Sequence, residues 1–193
     1  SGWSDEVATN KNSTIMRVTT VVKNYELGLL GGTVTGDNVV GGSFQGEFLG
    51  TGLRVEGNFR DRDDGNISEI SAELERRFEN SLNLRFSFFH HGAGVDSTDD
   101  YQQSKERYLA RRYMAGGAGY EFTPLFYGEA LLLLNAVDGS YLASLYSVYS
   151  LSDEAELSLA VSIPVGNEPD GALMRTEYGA YPASASFEFR AYF

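Results

Sequence analysis

Apolar and polar residues alternate one for one through most of this chain, and a side-chain period of two fits a β-strand with two unlike faces. Residues 51–61 show the pattern, with Leu53, Val55, Gly57 and Phe59 set between Arg54, Glu56, Asn58 and Arg60. Ile70, Ala72, Leu74 and Phe78 then oppose Ser71, Glu73, Glu75 and Arg77. Leu82, Leu84, Phe86 and Phe88 oppose Asn83, Arg85 and Ser87, and Leu157, Leu159, Val161 and Ile163 alternate with polar or small residues. Looser runs occupy about 14–23, 26–34, 38–48, 111–121, 125–136 and 139–151, and a last alternation runs from Ala185 to the end. The runs predict an all-β, antiparallel chain of roughly eleven strands, within a range of about ten to twelve, as one domain over 1–193.

The connections differ in length. Lys23-Asn24, Gly50-Thr51, Glu79-Asn80-Ser81, Thr123-Pro124 and Ser152-Asp153 have the brevity of tight hairpins. Between them fall longer polar segments: Asp61-Arg62-Asp63-Asp64-Gly65-Asn66, 92–109 and 165–182. Ser97–Asp100 leading into Tyr101–Leu109 predicts a short capped helix. No other amphipathic helix, domain linker or repeat interrupts the rhythm.

Composition removes several classes of function. A chain that is 42% hydrophobic and 13% aromatic is not intrinsically disordered. Mean hydropathy is -0.26, and no run approaches the ~18 apolar residues of a membrane helix. A net charge of -12 argues against nucleic acid as a partner. Without cysteine there is no disulfide framework, cysteine zinc site or thiol nucleophile. Gly 22, Tyr 12 and Phe 12 against Pro 4 suit a curved sheet. No charged-then-apolar leader opens at Ser1, which reads as a signal peptide already removed, or as a fragment.

Alternation alone leaves open which solvent meets the apolar face. In a soluble sandwich or lipocalin-like barrel it turns inward to a core, and in an outer-membrane barrel it faces lipid. Three features favour the second. The runs are about ten to twelve residues, near the nine to eleven of a tilted spanning strand and longer than the usual five or six. Short turns alternate with longer loops, as on the two rims of such barrels. Tyr25, Phe48, Phe78, Tyr120, Phe122, Phe126, Tyr141 and Tyr149 recur near strand ends, where two interfacial girdles would sit.

The C-terminus adds a resemblance. Ala185, Phe187, Phe189, Ala191 and Phe193 alternate with Ser186, Glu188, Arg190 and Tyr192. This resembles the terminal β-signal of Gram-negative outer-membrane proteins, and Gly119–Leu125, Tyr149–Asp153 and Glu177–Pro182 look similar to porin-like barrels. The resemblance implies residence in the bacterial outer membrane among its lipids, and Phe187, Phe189 and Phe193 as the signal read by the barrel-assembly machinery. It names no solute.

With Phe193 in the periplasm, the short turns are periplasmic and the long segments extracellular, so residues 1–12 become an extracellular or irregular N-terminal segment. The strand count is then odd, whereas single-chain bacterial barrels are even. Either a strand is missed, or 1–12 supplies an irregular one, or a second chain supplies missing strands.

The expected lining is Arg17, Glu47, Arg54, Glu56, Arg60, Glu73, Glu75, Arg77, Arg85, Glu121, Glu129, Glu188 and Arg190, with Gln45 and Asn58. Such ladders either pack the lumen or select its solutes. His90-His91 are the only histidines, with Asp96 and Ser97 nearby, but they sit in no recognisable hydrolase motif. Asp61–Asn66 lacks the distal Glu of a calcium loop, so no metal or other cofactor is expected. The leading expectation is a non-enzymatic, porin-like passage for small hydrophilic solutes, or a pore-forming component of an envelope assembly. A structural or binding barrel offering acidic loops to a partner is the first alternative, and a barrel-rim hydrolase the second.

Overall fold

The computed structural model describes residues 12–192 apart from 63, 64, 105 and 107. Eleven strands form one antiparallel sheet in plain sequence order: β1 (Thr14–Val22), β2 (Tyr25–Val34), β3 (Asp37–Phe48), β4 (Thr51–Asp61), β5 (Ile67–Arg77), β6 (Asn83–His91), β7 (Arg112–Thr123), β8 (Phe126–Asn135), β9 (Tyr141–Ser152), β10 (Ala155–Val165) and β11 (Ser184–Ala191). Each strand pairs with its sequence neighbours, so β1 and β11 have one paired edge each and the sheet is not closed. Among the described residues no helix is long and apolar enough to cross a membrane.

The expected run at 26–34 begins at Tyr25, and that at 70–78 begins three residues earlier, at Ile67. The helix expected after Ser97 shrinks to a 3-10 turn, Thr98–Asp100, with the Ser97 hydroxyl accepting from the Asp99 N–H at 3.3 Å. A second such turn spans Tyr178–Ala180.

All tight turns at one end of the sheet (the turn end) connect β1–β2, β3–β4, β5–β6, β7–β8 and β9–β10. At the other, the loop end, lie 62–66, 92–111, 136–140 and 166–183, together with the short Thr35-Gly36 turn. Two-residue hairpins need left-handed backbone, which Gly36 (φ 99°) and Gly50 (φ 73°) supply cheaply. Thr35 takes φ 53° beside Gly36, and its N–H donates to the Ser13 hydroxyl at 3.1 Å.

Ladder register sorts the side chains into two faces. One carries Leu53, Val55, Ile70, Leu74, Leu84, Phe86, Leu132, Leu145, Leu159, Phe187 and Phe189 in matching rows. Its acidic and basic side chains are Asp61, Arg76, His90 and Arg112, all at strand ends. The other face is concave and carries most of the acidic and basic side chains, with apolar ones such as Leu30, Val39, Leu131 and Leu142 among them, and Arg17 on β1 and Phe89 on β6 border one cavity of about 170 Å³. Glycine lets polar groups meet over an intervening strand there. Arg17 donates to the Ser43 hydroxyl at 3.3 Å across Gly28 of β2, where any side chain would strike Ser43.

The molecule has almost no apolar interior. Buried apolar side chains among the described residues are Tyr101, Ala110, Tyr113 and Tyr178, all in or against the loops at one end. Leu84 (41%), Phe86 (48%), Leu159 (41%) and Phe189 (58%) are exposed instead. Seven of the eight strand-end aromatics named above sit at the turn end, and Tyr141 alone at the loop end. At the turn end Phe122 stacks on Phe126 at 5.1 Å.

Candidate functional site

Register puts all thirteen expected lining residues on the concave face. Most are paired. Arg85 reaches over β7 to Glu129 at 2.7 Å, above the small residues Gly117 and Gly119. Arg54 lies 3.7 Å from Glu73, and Arg190 binds Glu156 at 3.0 Å and Glu188 at 2.8 Å. Glu75 accepts from the Asn83 amide at 2.8 Å. Arg60 lies 3.9 Å from Asp37 and Arg17 the same distance from Glu26. Glu47, Glu56, Arg77 and Glu121 make no ion pair with a described residue.

Four carboxylates on this face escaped the sequence reading: Glu26, Asp37, Glu69 and Glu156. Glu26 opens the run counted from 26, Asp37 precedes the one counted from 38, and Glu69 precedes the one counted from 70. Glu156 sits at a register shift on β10. No further Arg or Lys joins them, so the face carries an excess of negative charge.

The loop end holds a buried polar network with no counterpart in the sequence reading. Asn135, the last residue of β8, is fully buried. Its amide donates to the Tyr101 hydroxyl at 2.9 Å and to Glu177 Oε2 at 2.8 Å, and its oxygen accepts from the Val137 N–H at 2.8 Å. Tyr101 donates to Asp138 at 2.8 Å, and Tyr113 donates to Glu177 at 2.7 Å while accepting from the Ala110 N–H at 2.8 Å. The Glu177 N–H returns to Asp138 at 2.8 Å and the Tyr178 N–H to the Ser140 hydroxyl at 3.1 Å. Loops 92–111 and 166–183 are thereby fastened to the ends of β7–β9. Burial raises the Glu177 carboxyl above its usual range and Asp138 adds repulsion, against which bonds from Tyr113, Asn135 and the Leu109 backbone act. Burial likewise raises the Tyr101 phenol, helped by its bond to Asp138.

The two histidines part company. His90 falls on the apolar face and His91 on the concave one. His91 Nδ1 is 2.9 Å from Glu69, its Nε2 has no hydrogen-bond partner, and Glu106 lies 3.9 Å away. Asp96 is bound to Arg111 (2.8 Å) and Arg112 (3.3 Å), and the Ser97 hydroxyl caps the turn after it. His91 is therefore not joined to Ser97 or Asp96 in a nucleophile–base arrangement. Its ring stacks on Phe89 at 6.0 Å and meets Tyr108 edge-on at 6.1 Å.

Asp170 pairs with Arg175 at 2.7 Å in the long C-terminal loop. No group of three or more His, Asp or Glu among the described residues is placed to hold a metal. Asp63, Asp64, Phe193 and residues 1–11 lie outside the described residues, so the turn at 61–66, the terminal signal and the N-terminal segment are described only in part. Phe187 and Phe189 project from β11 on the exposed apolar face.

Compared with protein-family models, curated proteins and solved structures, the chain matches none.

Proposed function

We propose that this chain spans the bacterial outer membrane as a β-barrel, or as most of one, and serves as a porin-like passage for small hydrophilic solutes. One observation carries the reading: the apolar face is uncovered while the ion-paired face is concave. A water-soluble sheet of this size would place Leu84, Phe86, Leu159 and Phe189 against a core, since burying a large apolar side chain is worth about 1.5–3 kcal/mol. Here they stay exposed, and acidic and basic residues on their face stop at strand ends. Lipid is the solvent that suits this inversion, because a charge at mid-membrane costs about 2–4 kcal/mol whereas a wet interior tolerates it. Strands of eight to twelve residues suit the thickness. In this reading the turn end is periplasmic, the loop end extracellular, and Phe187 and Phe189 belong to the assembly signal.

The protein refolded into lipid vesicles and fused to a planar bilayer is expected to give discrete conductance steps. A monodisperse, folded species in buffer without detergent would overturn the membrane assignment.

The fastened loops favour a second reading. The network around Asn135 holds 166–183 rigidly against β7–β9, and a barrel capped in this way would present its acidic loops to a partner and conduct nothing. Folded, membrane-inserted protein without conductance selects this alternative.

A further inference from the structure

We propose that the apolar face carries a site for one phospholipid, its phosphate held by Arg76 and an acyl chain lying in a recess over β5–β10. The proposal rests on the membrane reading above and adds to it a particular bound lipid.

The recess has a volume of about 940 Å³ and is bordered by residues of every strand from β5 to β10. Side-chain size gives it depth. Gly116, Ala118 and Ala130 keep its centre low on β7 and β8, between Leu84 and Phe86 on β6 and Leu145 on β9. The Gly116 position faces open space: beyond its chain neighbours, a Cβ there would meet no atom within 4 Å.

Register gives the recess a direction. Arg76, Leu84, Ala118, Ala130, Leu145 and Val161 are successive ladder partners across the six strands. Arg76 is the last residue but one of β5, at the turn end, whereas Val161 is the seventh of the 11 in β10. The row therefore climbs from one rim toward the middle of the sheet. Five strand spacings make it about 24 Å long, and with strands tilted by about 45° it rises about 17 Å, close to half of the roughly 30 Å hydrocarbon thickness. An acyl chain along it would descend through one leaflet with its headgroup level with Arg76.

Charge matches at that rim. Arg76 is the one acidic or basic side chain that the strands of this face carry at the turn end. It is exposed, with the guanidinium carbon 5.1 Å from the centre of the Phe78 ring, and it makes no ion pair with a described residue. A guanidinium offers a phosphate two parallel donors, which a hydrocarbon alone would leave unused. A second copy suits the recess less well. Joined through a two-fold axis along the membrane normal, it would bring its own Arg76 to the same rim, like charge beside like charge.

The test is native mass spectrometry of the full chain released from detergent micelles. It is titrated with dioleoylphosphatidylglycerol and with dioleoylglycerol, which has the same chains and no phosphate. The phospholipid is expected to give a single tight adduct with a Kd at least fivefold below that of dioleoylglycerol. Arg76→Gln should erase the difference. Gly116→Leu, which fills the recess, should weaken both lipids at least fivefold, with far-UV circular dichroism confirming that each variant keeps its sheet. Excess inorganic phosphate should displace neither lipid. Equal binding of the two lipids, or a preference that survives Arg76→Gln, would overturn the headgroup contact, and displacement by phosphate would make the site one for a free anion. Binding untouched by Gly116→Leu would overturn the location, and a lipid-free dimer that Gly116→Leu disrupts would put a second copy there instead. The two readings fail separately: a monodisperse detergent-free protein that still prefers the phospholipid sinks the membrane assignment and keeps the site, whereas inserted protein without that preference sinks the site alone.

Discussion

The Asn135 side chain makes five hydrogen bonds from a position with no exposure, joining β8 to both long loops. Replacing it by Leu takes one hydrogen bond each from the Tyr101 hydroxyl and the Glu177 carboxylate, which keep Asp138 and Tyr113 as partners, at about 0.5–1.5 kcal/mol per bond lost. Asn135→Leu is therefore expected to open 92–111 and 166–183 to limited proteolysis while far-UV circular dichroism of the sheet is unchanged. Glu177 adds a pH dependence. Its carboxyl is raised, first by burial, so the folded loop binds the proton more tightly than the unfolded loop does. The stabilisation is complete below the ordinary carboxyl value of about 4.3 and fades as pH rises through the raised one. Amide protection factors over 166–183 should be higher at about pH 4.5 than at pH 7.5, and Glu177→Gln should flatten the difference. Nothing in the sequence marked these residues, because the network joins positions up to 64 apart, such as Tyr113 and Glu177, and local pattern carries no information about such pairings.

Leu159 and Ala160 are neighbours on β10 that lie on opposite faces of the sheet. Leu159→Arg is expected to cost about 2–4 kcal/mol if its face meets lipid, and Ala160→Arg under about 1 kcal/mol if its face meets water. Reversible denaturant unfolding in vesicles measures both. Equal costs would show that the two faces share one solvent. The salt bridges contribute less than their number suggests: Arg54 and Glu73 are substantially exposed, and Glu73→Gln should change stability by under about 1 kcal/mol. Strands were the most legible part of the sequence, since the period of two is imposed residue by residue and survives without knowledge of partners. β4 matched its expected run at both ends. Errors gathered where the alternation meets other demands. Ile67 and Glu69 were hidden by the serines around them, and Leu131 and Leu133 turn toward the concave face within a nearly continuous apolar run on β8. That the thirteen expected lining residues share one face was legible for the same reason as the strands, whereas the aromatic cluster at the loop end was not: Phe89 and Tyr113 face each other across β6 and β7, and Tyr178 reaches the cavity beside them only through the packing of loop 166–183.

Taken together, the concave surface is acidic, and an open passage along it is expected to prefer cations. In a planar bilayer under a potassium chloride gradient the reversal potential should carry the cation sign, and Glu47→Gln, Glu56→Gln and Glu121→Gln combined should move it toward zero. An anion-selective potential in the unmodified protein would contradict the charge distribution. The order of the sheet has a geometric corollary. Because its ribbons reverse one after another and number eleven, the two outermost ones travel in the same sense. Zipping β1 to β11 would make a single parallel seam in an otherwise antiparallel wall, with slanted and slightly weaker bonds. A neighbouring copy standing the same way up offers no better match, since both of its borders travel in that sense too. A ring with antiparallel bonds all the way round asks for an insert of one ribbon, or another odd number, whose flanks ascend where β1 and β11 descend.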